Sequence, residues 1–451
     1  MVENVYSEPR TAVEEVREGL KCSTYEAAFA TVHVALTQGI FLTNYVLFLG
    51  ATNLQCGIIE AFPFFLQFCA FLAPAFVRRL KARKPVALYF SFTYRFAWVV
   101  LILLMYLDLF PGQRVHLMML TLFLSNVCIV IASNAYFSWM ADLVPPTIRG
   151  SYYGRRNTYL GFTSMVTLFI GSQVLSYFEG EGNMHIGFTL CFAVAVASAM
   201  VSSFWLNRQY EPMVEPVHSL TVAKVRAMVQ ESPLLKRYIV FYSIWQYGLG
   251  AGAAFFGVYM VKVLEMTPAQ MGYQALIASV ASIIGSRLWG RARDRVGDRA
   301  VLLASGLFVA INASFWVGAR HGFLWPVWIL SMGAGFSWAG YNIVAFSWPQ
   351  KFCQRKDNFY AAALIGFFSG PAFLAGSLTG GVLTTYLPQV LARIGDFEFM
   401  HYHLVFALSA GIRGLAIFIM TGWSKPYVHS PRTLTRCITD SLSAMATPKQ
   451  K

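Results

Sequence analysis

The chain has 451 residues, a net charge of +14, 57% hydrophobic residues and only 12% charged ones. Soluble proteins carry roughly 45–50% apolar and about 25% charged residues, so a soluble chain of two or three domains is excluded. The positive charge sits mostly in alternate short loops, which leaves nucleic-acid binding nothing to explain.

Residues 1–26, "MVENVYSEPRTAVEEVREGLKCSTYE", are polar and mixed in charge. They lack an apolar stretch ahead of a small-residue site, so a cytoplasmic segment is expected rather than a cleaved signal. Twelve apolar blocks follow: Ala27–Gly50, Leu54–Phe76, Val86–Leu107, Val115–Met140, Tyr159–Phe178, Ile186–Leu206, Tyr238–Val263, Met271–Gly290, Ala300–Gly318, Phe323–Trp348, Tyr360–Leu387 and Tyr402–Thr421. Each is near the ~20 residues a helix needs to cross a ~30 Å hydrocarbon core. They are too long and uniformly apolar for barrel strands, and an open sheet edge cannot be satisfied in lipid. The fold class is therefore all-α integral membrane, with twelve transmembrane helices. The loops after even-numbered spans hold 20 Lys and Arg, those after odd-numbered spans 3. This places both termini in the cytoplasm, and a bacterial inner (cytoplasmic) membrane is the expected location.

The longest connection, residues 207–237, reads as a cytoplasmic linker containing the amphipathic "SLTVAKVRAMVQESP". It separates a six-helix bundle at 27–206 from a second at 238–424, and 425–451 form a cytoplasmic tail. The halves echo each other. "NAYFSW" (Asn134–Trp139) closes span 4 and "NIVAFSW" (Asn342–Trp348) closes span 10, its counterpart under duplication. Phe336-Ser337-Trp338 repeats the triplet without the loop, so the triplet alone is weak.

Several motifs carry less than they suggest. "GLGAGA" in span 7 (Gly248, Gly250, Gly252) lacks the strand and soluble βαβ unit of a nucleotide site, so it reads as close helix packing. Span 11 has Gly366/Gly370 and Gly376/Gly380 around Pro371, a side open to close approach with a kink. His401 and His403 point to different sides of a helix and read as interfacial anchors. The seven cysteines (Cys22, Cys56, Cys69, Cys128, Cys191, Cys353, Cys437) are dispersed, which argues against disulfides or zinc. No cofactor, metal or ATP motif is expected, nor a catalytic constellation, so the chain is not read as an enzyme.

After span 8 the chain reads "GRARDRVGDR", with Gly290, Asp294, Arg295, Gly297 and Arg299 spaced G-x-x-x-D-R-x-G-x-R. This resembles the cytoplasmic signature of the major facilitator superfamily, found there after helices 2 and 8. The first-half copy is eroded: Pro74, Arg78 and Lys81 replace Gly, Asp and Gly, and only Arg79 and Arg83 match. Asp142-x-x-Pro145-x-x-x-Arg149-Gly150 is similar to an element many relatives carry between helices 4 and 5. The resemblance implies two pseudo-symmetric bundles and a secondary active transporter working by alternating access. It implies a cytoplasmic gate at Arg79, Arg83, Asp142, Arg149, Gly290, Asp294, Arg295, Gly297 and Arg299; the alternative is ordinary charge pairing at helix ends.

The resemblance also implies that spans 1, 4, 7 and 10 line a cavity. Their polar and aromatic residues are Gln38, Asn44 and Tyr45; Asn126 and Asn134; Tyr242 and Gln246; Trp338, Tyr341 and Asn342. Such a lining suits a small, neutral or zwitterionic organic solute, with inter-helix hydrogen bonding as the alternative role of each residue. Glu60, Arg95 and Arg413 lie at span depth, where an ionisable group costs roughly 2.5–3.5 kcal/mol. Glu60 is the first candidate if transport is proton-coupled, and pairing with Arg95 is its alternative. Arg95 and Arg413 are expected to meet backbone carbonyls or a carboxylate of their own half, with a cavity or coupling role as the alternative. His33 is expected to be a hydrogen-bonded core histidine. Besides solute and protons, the expected partners are lipids, and a monomer is expected to suffice. A transport-inactive sensor or assembly scaffold is the competing function.

Overall fold

In lipid every backbone N–H and C=O must be paired within the protein, and the helix does this locally. The computed structural model describes residues 12–107, 112–145, 147–212, 230, 232–348, 358–395 and 397–421. Most of the linker, the tail, Cys353, Cys437 and much of the loop after span 10 lie outside the described residues. Among the described residues nine helices are long and apolar enough to cross a membrane, or ten if one bent pair is a single span. Two further helices, Pro268–Val296 and Trp325–Ser347, have the length of a span but are not among these nine. The set is consistent with twelve crossings.

The chain divides into two compact units, Met1–Leu42 with Cys69–Ser219, and Thr43–Phe68 with Leu220–Lys451. The first holds α1 (Ala12–Thr37), the start of α2 (Ile40–Phe48), α4 (Ala73–Leu80), α5 (Lys84–Tyr106), α6 (Arg114–Leu143), α7 (Arg149–Gly180) and α8 (Met184–Arg208). Here α1 packs on α8 and α7, and α5 on α6 and α8. Val77, Val86, Ile131, Trp139, Met140 and Leu206 form a buried cluster.

The second unit holds the rest of α2, α3 (Asn53–Phe65), α9 (Pro233–Lys262), α10 (Pro268–Val296), α11 (Asp298–Ser314), α12 (Trp325–Ser347), α13 (Asn358–Tyr386) and α14 (His401–Thr421). Its core gathers Tyr238, Trp245, Trp289, Val301, Tyr341 and Ile417. The glycines of spans 7 and 11 meet each other. A Cβ on Gly376 would collide with the Tyr247 carbonyl, and one on Gly250 with that of Phe373, so α9 and α13 touch backbone to backbone. The segment α3 lies in this unit too, and Ser377 Oγ donates to the Gly57 carbonyl at 2.6 Å.

Three features depart from twelve uninterrupted spans, and a fourth is shared by the two halves. The first helix starts at Ala12 rather than near Ala27, and it breaks at Gln38–Gly39, where Gly39 has φ +56°. The second span is also broken. Pro63 cannot donate its backbone bond, and the chain tightens into a 3-10 segment at Leu66–Leu72 ahead of α4. A short antiparallel hairpin, β1 (Val390–Ile394) and β2 (Phe397–Met400), joins α13 to α14. Finally, α3 and α10 open with the same capping box, Thr52 with Gln55 and Thr267 with Gln270. These helices begin spans 2 and 8, counterparts under duplication, so this is a second echo between the halves.

Candidate functional site

In the first unit, Arg95 reaches across helices. Its Nη2 donates to Glu26 Oε1 at 3.1 Å and its Nη1 to Ser203 Oγ at 3.1 Å, while Ser202 Oγ donates to Glu26 Oε1 at 3.0 Å. Arg95 thus pairs with Glu26 of α1 and not with Glu60. Glu26 escaped the sequence reading because the first span was begun one residue after it. His33 is fully buried, and its Nδ1 donates to the Ala195 carbonyl at 3.1 Å. Asn126 and Asn134 each donate through Nδ2 to the carbonyl one turn earlier, Leu122 and Val130, at 2.8 Å. Gln38 is exposed at the helix break, with Nε2 3.5 Å from Tyr94 Oη.

In the second unit, Asn44 and Tyr45 are buried, and Asn44 Nδ2 donates to Met271 Sδ at 3.5 Å. Glu60 is partly buried and forms no ion pair among the described residues. Elsewhere in this unit α9 and α12 assemble an aromatic cluster. Trp245 and Tyr341 stack with centroids 4.4 Å apart, Trp338 stands edge-on to both, and Tyr238 stacks on Tyr242. Gln246 is buried beside it, Asn342 is exposed on α12, and the Arg413 guanidinium lies 5.8 Å from the Trp245 ring. Trp245 was missed because one Trp in an apolar run gives no signal apart from lipid-facing neighbours.

His401 and His403 are both buried in structural roles. The Met400 N–H donates to His403 Nδ1 at 3.1 Å, so the Nε2 proton points to Tyr259 Oη at 3.0 Å, which in turn donates to the Ala319 carbonyl at 2.8 Å. Among the described residues no three His, Cys, Asp or Glu are grouped to hold a metal.

The sequence matches the model of the Major Facilitator Superfamily over residues 27–375. The chain belongs to the major facilitator superfamily. It is similar in structure to the D-xylose-proton symporter (TM-score 0.69, 13% identity, covering 92% of this chain and 98% of that one). It is also similar to the nucleoside transporter NupG (TM-score 0.65, 11% identity, 90% and 100%) and to the inward-open xylose transporter XylE from E. coli (TM-score 0.62, 13% identity, 95% and 99%). At these identities the likeness shows the fold alone. No curated protein matches the chain by sequence.

Membership in the superfamily turns attention to the signature loops. Arg83 is buried, and its Nη1 meets Asp142 Oδ2 at 2.6 Å and the Ser138 carbonyl at 3.1 Å. Its backbone N–H donates to Glu211 Oε1 at 2.5 Å. Arg149 does not join this pair; it donates to the Ala141 and Val144 carbonyls at the end of α6. Arg79 is exposed. In the second half Arg299 donates to the Met420 and Thr421 carbonyls ending α14, and Arg293 pairs with Asp298 at 2.7 Å. Asp294 and Arg295 are exposed, and Gly290 is partly buried. Gly297 ends α10 at φ +85°. Lys81, aligned with it in the eroded copy, also has positive φ (+53°), but its ψ of 20° is left-handed helical where Gly297 has ψ 166°, so the two turns differ.

Proposed function

We propose that this superfamily member is a secondary active transporter that moves a small organic solute by alternating access. One observation carries the reading: the first span is interrupted at Gln38–Gly39, near the middle of the apolar block, and both residues are exposed. Irregular backbone at membrane depth is tolerated where it is buried in protein or lines a water-filled cavity, and broken helices mark transporter binding sites. An exposed glutamine beside such a break belongs to the second case. Asn134 and Asn342 add amides that orient a solute without titrating. The solved relatives named as symporter and nucleoside transporter carry solutes of the expected size class.

Glu60 is the candidate proton carrier, because no cation claims its carboxylate among the described residues. Both termini face the cytoplasm in this reading, with Asp142 and Arg83 at a cytoplasmic gate. The test is solute flux into vesicles reconstituted with the full chain. Gln38→Ala and Asn342→Ala raise the half-saturation concentration at near-normal expression, and Glu60→Gln removes the dependence on a proton gradient. Normal half-saturation in both amide variants overturns the site.

A further inference from the structure

Two arginines lie deep in the spans, and their surroundings differ. Arg95 has its carboxylate, Glu26. Arg413, only 2% exposed, forms no ion pair among the described residues. Its Nε donates to the Ser409 carbonyl one turn earlier at 3.1 Å, and its Nη2 has no acceptor among the described residues. Trp245 Nε1 and Tyr341 Oη, both buried, likewise have no hydrogen-bond partner among the described residues. These groups sit together: the two rings are stacked, and the guanidinium lies over the indole. A cation over a ring face gains attraction, yet it leaves the in-plane N–H groups unsatisfied.

The surrounding structure makes room for the guanidinium. Gly248 lies one turn after Trp245, and a Cβ there would stand 3.0 Å from Arg413 Cγ. The Ser409 hydroxyl donates to the Gly248 carbonyl at 2.6 Å, fixing α14 against α9 at this level. A glycine and a serine thus admit a charged side chain among aromatic residues. Buried polar groups almost always find partners, and a buried charge without one is costly. Here a permanent cation and two neutral groups able to donate are gathered, and among the described residues the Ser409 carbonyl is the one acceptor they reach.

We propose that Arg413, Trp245 and Tyr341 form a binding site for a monovalent anionic group, rationalised best as the carboxylate of the transported solute. The inference rests on the transport reading above and narrows it from a neutral or zwitterionic solute to one bearing a carboxylate. The guanidinium supplies charge and a planar fork, and the indole and phenol supply single donors. A small inorganic anion such as chloride has the same chemistry, and the experiment separates the two.

Thermal unfolding of the purified full chain is measured in sodium sulfate with added benzoate, its uncharged analogue benzamide, or chloride. Benzoate is expected to raise the melting temperature of the wild type, benzamide is not, and Arg413→Gln abolishes the benzoate effect. Tyr341→Phe and Trp245→Phe keep the ring, and each weakens benzoate roughly tenfold, the scale of one buried hydrogen bond. Stabilisation by chloride with no added effect of benzoate keeps the anion site and assigns it to an inorganic ion. Arg413→Met, measured without ligand, should melt higher than the wild type, because a buried unpaired charge is replaced by an apolar chain of similar length. A lower melting temperature for Arg413→Met, or no monovalent anion that stabilises the wild type beyond Arg413→Gln, overturns the proposal. Vesicle flux separates the two readings: flux without anion stabilisation removes the site alone, and anion stabilisation without flux removes the transport reading alone.

Discussion

Replacing Glu26 with alanine tests whether a single ion pair holds three helices of the first unit together. The pair links Glu26 on α1 to Arg95 on α5, and Ser202 and Ser203 on α8 supply one hydrogen bond to each partner. Both charged side chains are only 8% exposed, so neither can turn to water when the other is removed. Glu26→Ala leaves Arg95 buried with one neutral serine acceptor, a change that costs about 3–5 kcal/mol. Glu26→Gln keeps an acceptor for both Arg95 and Ser202 and loses only the charge, at about 1–2 kcal/mol. The double change Glu26→Met with Arg95→Met removes both charges and recovers most of the loss. Reversible unfolding in mixed detergent micelles, run as a double-mutant cycle, reads these values. A cost below about 1 kcal/mol for Glu26→Ala, or a double variant as unstable as the two singles added together, refutes the reasoning.

The remaining predictions follow from the loops and caps. Thr52→Ala and Thr267→Ala each destabilise by about 1 kcal/mol, because each removes an equivalent N-cap, and a difference of several-fold in thermal unfolding would count against the repeated capping box. Lys81→Gly stabilises by up to about 1 kcal/mol, since a left-handed conformation strains any side chain, and a loss of stability would show that the lysine has acquired another role. Arg83→Ala costs more than Asp142→Ala, because Arg83 is 3% exposed and also serves the Ser138 carbonyl, whereas the Asp142 side chain is 46% exposed. Equal losses would contradict that ranking. Asn53 donates to the Thr384 carbonyl and Tyr402 Oη and accepts from Lys262 Nζ, all near 3.0 Å. Asn53→Ala should therefore loosen α3 and speed maleimide labelling of the buried Cys56, and unchanged labelling would show that these bonds do not hold the helix.

Membrane class, helix positions and family were legible in the sequence because the bilayer imposes one strong rule, a long apolar helix for each crossing. The breaks at Gln38 and after Pro63 were less visible, since an interrupted span keeps its apolar composition while its backbone departs from the helix. The hairpin did leave a trace, in "RIGDFEFM", a short run of strand-forming residues after Gly395. The capping boxes were readable as Thr-x-x-Gln at the start of spans 2 and 8, yet only matching positions in two halves give so short a pattern meaning. The pairing of Arg95 was not readable at all, because Glu26 is separated from it by 69 residues and becomes its neighbour only through packing of α1, α5 and α8. For the same reason the packing of Thr43–Phe68 within the second unit leaves no mark in composition.

The measurement that tests the central claim most directly is flux through reconstituted vesicles of whichever solute gives the largest thermal stabilisation of the full chain. The account predicts saturable, protein-dependent movement of that solute across the vesicle membrane, weakened by Gln38→Ala at unchanged insertion. A solute that binds and stabilises the protein yet never crosses would contradict it, and would make the chain a sensor or scaffold built on a transporter fold.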